Sequence, residues 1–111
     1  SRNVINRFER YAELRKASAQ DMAEAMKSQY GKNAKTSPTS RKINGETLKG
    51  VRVKANLAQT GMIQDVLSLP TENGSRLLVV QDLVEKSADS TAETKLAMDL
   101  LDATLAFAEQ H

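Results

Sequence analysis

The chain has 111 residues, 40% of them hydrophobic and 27% charged, as in a single globular domain, which excludes collagen-like and wholly disordered chains. It contains no cysteine, which excludes disulfides, thiolate catalysis and Cys-based zinc sites. Its formal charge is +2, and apolar runs such as 77–80 are far too short to span a membrane. We therefore expect one soluble α+β domain over residues 1–111 with no membrane span.

Charge is distributed unevenly along the chain. Residues 1–60 carry 13 Lys and Arg against five Asp and Glu, a net +8, whereas residues 61–111 carry three against nine, a net −6. The densest basic stretch is 32–54. Such asymmetry is typical of surfaces that bind nucleic acid or anionic membranes, but the acidic half of the same fold can equally neutralise it.

Residues 1–30 are predicted to form one long helix. Apolar residues recur there at steps of three and four positions, and Gly31 is suited to end the helix. A straight helix over 3–30 would be about 42 Å long, so we expect it to overhang, to break near Ser18 or to pack on another molecule. Its apolar stripe predicts a self-association surface, with packing on its own sheet as the alternative. The stripe consists of Phe8, Ala12, Ala19, Met22 and Met26.

The next segment, 31–41, is predicted to be a loop or linker. It has no periodic apolar residues and places Pro38 among small polar residues. The sheet is expected from residue 42 onward. Asn44-Gly45 favours a tight hairpin turn that joins a short strand at 41–43 to the strand after it.

The strand after this turn has a basic face. Between residues 51 and 57 apolar residues alternate with Arg52 and Lys54, so one face should pack on the core and the other should face solvent. Leu48 has the other parity, which a bulge at Gly50 would correct. We predict that this basic face is where a ligand or a protein partner binds. The predicted binding residues are Arg41, Lys42, Lys49, Arg52 and Lys54.

Nucleic-acid binding is the alternative function for the basic stretch 32–54. Its lysines and arginines could contact phosphates, but none of the four aromatic residues of the chain lies in this stretch. Stacking on bases needs aromatic side chains, so a protein partner is favoured. Steep weakening of binding with salt would distinguish the nucleic-acid hypothesis.

Two further strands are predicted at 62–69 and 76–84. The connection between them contains Pro70 and Asn73-Gly74, which favours an antiparallel hairpin; we interpret Asn73-Gly74-Ser75 as a turn rather than a glycosylation site. The strand at 76–84 is apolar on both faces and needs cover on both sides. Either the strand order is permuted, or another chain completes the sheet, or the two terminal helices cover both faces.

The chain should end in a helix, because Ser90-Thr91-Ala92-Glu93 fits a capping box and an apolar stripe follows it. The predicted fold is therefore α-β-β-β-α, with a long N-terminal helix, a sheet of three or four mainly antiparallel strands, and a C-terminal helix. Residues 42–111 hold the sheet and the last helix.

Residues suited to catalysis are few. The single histidine, His111, is the last residue, and Asp99 and Asp102 are interpreted as a solvated helix surface. We predict no enzyme, no metal and no cofactor. The favoured function is a non-catalytic accessory or protein-interaction module that self-associates through the first helix or an open sheet edge.

From residue 42 onward the order of motifs is Ile43-Asn44-Gly45-Glu46, then Thr60-Gly61-Met62, then the strand containing 74–80, then the capped helix. This order resembles the C-terminal half of PsbP/DcrB-like domains, which are α/β sandwiches. The strands that precede the long helix in such domains are not expected here. The resemblance implies an accessory or binding role in a bacterial envelope or periplasm, with the cytoplasm as the alternative location.

Overall fold

A computed structural model describes residues 4–13, 17–58, 60–71, 74–85 and 91–110. They form an α+β fold with five strands and two helices, which confirms the predicted class. In chain order the elements are β1 (Val4–Glu13), α1 (Ala19–Tyr30), a 3-10 turn (Gly31–Asn33), β2 (Ala34–Ile43), β3 (Glu46–Asn56), β4 (Thr60–Thr71), β5 (Gly74–Glu85) and α2 (Thr91–Gln110).

The strands form one sheet in the order β1-β5-β4-β3-β2, and all neighbouring strands are antiparallel. Of the alternatives for the strand at 76–84, the permuted strand order is the one observed, because β5 lies inside the sheet between β1 and β4. The predicted number of three or four strands is wrong. The additional strands come from segments that the sequence analysis assigned to a helix and to a loop.

The predicted helix over residues 1–30 is wrong in its first half, where β1 lies. Phe8 and Ala12 are four positions apart, a spacing that puts two residues on one face of either a helix or a strand. The helix begins only at Ala19, next to Ser18, where one of the three alternatives for the long helix placed a break. The Ser18 hydroxyl accepts from the Asp21 amide at 3.1 Å and the Asp21 carboxylate accepts from the Ser18 amide at 3.0 Å, a capping box.

The predicted loop at 31–41 is also wrong, because β2 covers most of it. Among the described strands β2 pairs with β3 alone and is an outer strand, so most of its side chains face solvent and need not be apolar. Pro38 is tolerated there because an outer strand has amide groups that pair with no neighbour. The turn at Asn44 and Gly45 is confirmed, with φ of 51° and 81°.

Both helices pack on the same face of the sheet and enclose the main core with it. The alternative in which the two terminal helices cover both faces of the sheet is therefore wrong. The core residues from the helices are Ala19, Met22, Ala23, Met26 and Tyr30 of α1 and Ala97, Leu101, Leu105 and Ala108 of α2. Helix α2 confirms the predicted C-terminal helix, whereas its predicted cap, Ser90, lies outside the described residues.

The other face of the sheet, which we call the helix-free face, has a smaller apolar cluster of its own. It consists of Leu48, Leu67, Leu78 and Val80, all buried, with Ile43 and Leu69 at its margin. This corrects the expectation of a bulge at Gly50: the β2–β3 register is continuous there, and Leu48 stays on the face opposite the helices.

Gly50 marks the point where β3 leaves β4. The β3–β4 ladder begins at the pair Gly50–Leu67, so residues 46–49 have no partner in β4. A Cβ atom at Gly50 would lie 1.9 Å from the Val66 carbonyl oxygen, a contact that no side chain can make. The turn end of the β2–β3 hairpin, with Leu48 and Ile43, thereby packs over the helix-free face.

Tyr30, the last residue of α1, is buried, and its hydroxyl has no hydrogen-bond partner in the described part of the chain. Burial raises the pKa of Tyr30 to about 12. The unfolded chain releases this proton from about pH 10, whereas the folded chain keeps it until about pH 12. The stability that depends on the neutral phenol is thus complete below pH 10 and is lost as the pH rises through 12.

We expect wild type to lose up to about 2 kcal/mol more than Tyr30→Phe over this range, after allowing for solvent screening. Urea unfolding of both proteins below pH 10 and near pH 12 measures the difference. At neutral pH Tyr30→Phe should be at least as stable as wild type, because it removes an unpaired buried hydroxyl. An equal alkaline loss in the two proteins would contradict this prediction.

Within the described residues, neither helix combines the length and the apolar composition needed to cross a membrane.

Candidate functional site

The helix-free face holds a cluster of charged side chains that strand pairing brings together. Arg7 of β1 lies directly opposite Asp82 of β5, and Arg52 of β3 lies directly opposite Asp65 of β4. Arg7 donates through Nε and Nη2 to the two Asp82 oxygens at 2.5 and 3.0 Å. Arg52 donates to the two Asp65 oxygens at 2.7 and 2.9 Å. Both contacts are bidentate, with two parallel N–H···O hydrogen bonds, a geometry that makes an arginine–carboxylate pair strong.

Arg41 of β2 joins the two pairs. Its guanidinium lies 3.6 Å from Asp65 Oδ2 and 3.8 Å from Asp82 Oδ2. In a flat sheet, β2 and β5 would be about 14 Å apart, farther than an arginine side chain reaches. Arg41 therefore reaches Asp82 only because the hairpin end bends over the face at Gly50. We call these five residues the Arg–Asp cluster.

The Arg–Asp cluster contains three guanidiniums and two carboxylates, and its carboxylates are the buried members. The Asp65 side chain is 1% exposed and the Asp82 side chain 11%, whereas Arg7 is 48% exposed. The hydrogen bond to Asp82 raises the pKa of Arg7, and the hydrogen bond to Asp65 raises the pKa of Arg52. The two carboxylates thus neutralise two of the three guanidiniums, and the cluster keeps one net positive charge near its solvent-exposed side.

The acidic half of the chain therefore neutralises part of the basic half. This was one of the two interpretations of the charge asymmetry, and Arg7, Arg41 and Arg52 fit it because each contacts Asp65 or Asp82. The lysines of the β2–β3 hairpin differ: Lys35, Lys42, Lys49 and Lys54 are exposed, and no ion pair to them occurs within the described residues.

Two of these lysines stand side by side. Lys35 of β2 is directly opposite Lys54 of β3, on the same face as Arg52. A cleft of about 390 Å³ opens beside Lys54. It is lined on the helix-free face by Lys54, Ile63, Asp82 and Val84, and it combines charged groups with apolar walls.

The five residues of the binding face predicted from the sequence lie on two different faces of the sheet. Arg41, Arg52 and Lys54 lie on the helix-free face, whereas strand alternation puts Lys42 and Lys49 on the opposite face. Sequence reasoning missed Arg7, Asp65 and Asp82, and it included Lys35 only as part of the basic stretch 32–54. A signal for the two aspartates does exist in the sequence, because each is an acid inside a mainly apolar strand.

The five residues of the predicted self-association surface do not lie on one helix. Phe8 and Ala12 belong to β1, and Ala19, Met22 and Met26 belong to α1. Four of the five, all except Phe8, are buried in the core of a single chain, and Phe8 packs against that core. Their side chains therefore stabilise the fold and present no continuous surface to a partner.

The described residues contain no group of three or more His, Cys, Asp or Glu side chains that could hold a metal ion. The two helix carboxylates considered earlier form separate surface pairs, Asp99 with Lys95 at 2.7 Å and Asp102 with Arg10 at 3.0 Å. His111 and Asn73 lie outside the described residues.

Comparisons of the chain with protein families, with curated proteins and with solved structures gave no match. The resemblance to PsbP/DcrB-like domains stays a prediction from the order of motifs.

Proposed function

We propose that the protein is a non-catalytic protein-interaction module, and that an acidic segment of another protein binds at Lys35 and Lys54. The observation that supports this proposal is the position of the two lysines, directly opposite each other on neighbouring strands of the helix-free face.

Like charges directly opposite on antiparallel strands destabilise the pair. The neighbouring Arg52 is neutralised by Asp65, but neither lysine has an ion pair within the described chain. A carboxylate bound between Lys35 and Lys54 would replace their repulsion with two attractions. Binding of an acidic group would therefore remove the unfavourable repulsion between Lys35 and Lys54 that is present in the free protein.

The surroundings of Lys54 favour a protein over a nucleic acid. Ile63 and Val84 line the adjacent cleft and offer apolar contacts, which protein interfaces combine with charged ones. The β2–β3 hairpin carries no aromatic side chain on which a base could stack.

The test is a double charge reversal, Lys35→Glu with Lys54→Glu. Fluorescence anisotropy would measure binding of a labelled glutamate-rich peptide and of a labelled DNA duplex at low and moderate salt. We expect wild type to bind the peptide and the reversal to weaken binding about tenfold or more, since two attractions become repulsions. The matched control, Lys27→Glu with Lys95→Glu, makes the same change in net charge on the helices and should keep most of the affinity.

Equal weakening by the control pair would show that net charge alone drives the interaction and would contradict the proposal. Preference for the duplex, with steep weakening as salt rises, would favour the nucleic-acid alternative. Failure of wild type to bind either probe would also contradict the proposal.

A further inference from the structure

The two outer strands of the sheet differ in how well they are protected against pairing with another chain. β2 carries Pro38 at its centre, flanked by Lys35 and Lys42, which are features that block the addition of a strand. β1 is ten residues long and contains no proline. Within the described part of the chain β1 pairs only with β5, so its other edge is open.

We propose that a second copy of this chain pairs antiparallel with β1, so that the two sheets join into one of ten strands around a two-fold axis at Phe8. The inference is independent of the proposed function, which uses the opposite end of the sheet.

The backbone shows which residues of β1 face the open edge. The Arg10 guanidinium donates through Nη1 to the Glu9 carbonyl oxygen at 3.0 Å, which indicates that this carbonyl points away from β5. Backbone groups of successive residues in a strand point to alternate sides. The amide groups of Arg7, Glu9 and Tyr11 are thus placed to bond a strand added at this edge.

The charged residues of β1 favour one register for the added strand. Of the in-phase antiparallel registers of two β1 copies, those centred on Phe8 and on Glu9 overlap most of the strand, whose pairing with β5 is regular from Asn6 to Glu13 and shifts between Val4 and Asn6. One places Phe8 opposite its own copy and Arg7 opposite Glu9, twice by symmetry. The other places Glu9 opposite its own copy, which is unfavourable because the charges are alike. The strand is therefore self-complementary in the register centred on Phe8.

The side chains of β1 are compatible with this register. Arg7 holds Asp82 through Nε and Nη2, which leaves Nη1 for Glu9 of a second copy, and its side chain is 48% exposed. Tyr11 lies on the same face of β1 and is 52% exposed, so dimer formation would bury part of an apolar ring. When the second strand is added, the Arg10 guanidinium would lose its hydrogen bond to the Glu9 carbonyl oxygen and bind water there instead. Its hydrogen bond to Asp102 would stay.

The first experiment compares wild type with Glu9→Lys by light scattering over a concentration series, with circular dichroism to confirm folding. We expect the wild-type mass to rise with concentration from 12.2 kDa towards twice that value. Glu9→Lys should raise the dimer dissociation constant about tenfold or more, because both Arg7–Glu9 attractions become repulsions. Glu24→Lys, an equal charge change on α1, should leave dimer formation unchanged.

The second experiment uses the absence of cysteine from the chain. Phe8→Cys would place two thiols across the two-fold axis, close enough for a disulfide, and mild oxidation should give covalent dimers. Thr39→Cys on β2, the other outer strand, should not crosslink under the same conditions.

A wild type that stays monomeric at every concentration would overturn the proposal. So would a dimer that persists in Glu9→Lys, or crosslinking at Thr39→Cys instead of Phe8→Cys, because the interface would then lie elsewhere.

Discussion

Gly50→Ala is expected to destabilise the protein by about 3 kcal/mol or more. The added Cβ would lie 1.9 Å from the Val66 carbonyl oxygen and under 3 Å from two more backbone atoms of β4. Backbone atoms inside a sheet cannot move aside as the end of a flexible side chain can. The variant must therefore separate β3 from β4 at the point where the hairpin bends, which also loosens Leu48 and Arg41 above the helix-free face.

Urea unfolding of wild type and Gly50→Ala measures this loss. Gly45→Ala is the matched control, because the same methyl group there meets no atom within 4 Å. Its cost should be limited to about 1 kcal/mol, since Gly45 has a φ of 81° that alanine adopts with strain. Equal losses in the two variants would contradict the close-contact argument, since only Gly50 has a backbone neighbour in the way.

Asp65→Asn should destabilise the protein by about 2–3 kcal/mol. The amide keeps the shape of the side chain but removes the charge that Arg52 contacts at 2.7 Å and Arg41 at 3.6 Å. Loss of one partner from a buried ion pair costs about 3–5 kcal/mol. The expected loss is smaller here because Arg52 and Arg41, at 36% and 23% exposed, can turn towards solvent.

Unfolding free energies at neutral pH measure the effect of Asp65→Asn. Asp99→Asn, which removes a carboxylate from the solvent-exposed pair with Lys95, is the control and should change stability very little. If Asp65→Asn were as stable as wild type, the Arg–Asp cluster would contribute nothing to the closure of the hairpin over the sheet.

Elements with a clear apolar period were predictable from the sequence. Strands β4 and β5, the turn at Asn44-Gly45 and helix α2 lie where alternation, turn residues and a helical stripe put them. β1 was missed because the four-residue spacing of Phe8 and Ala12 fits two kinds of structure. β2 was missed because an outer strand buries few side chains and so lacks an apolar period.

The candidate site was less predictable than the fold. Arg52 and Lys54 could be identified from the alternation in one strand. Which residues of the neighbouring strands lie opposite them depends on the strand register, which local sequence patterns do not determine. Lys35 faces Lys54 only because β2 is a strand, and Arg41 reaches Asp82 only because the hairpin bends at Gly50. Non-local pairing therefore decides which charges are neutralised and which stay exposed.

The place of β1 beside β5 determines the order in which the sheet can assemble. Ile43 pairs with Glu46, and Thr71 pairs with Gly74, so the β2–β3 and β4–β5 hairpins join segments that are close in sequence and can form soon after their strands leave the ribosome. Phe8, in contrast, pairs with Gln81, near the other end of the chain. During synthesis β1 cannot pair with its neighbour in the sheet until β5 has been made. Closure of this long chain loop costs entropy, so we expect the β1–β5 pairing to form after the two hairpins.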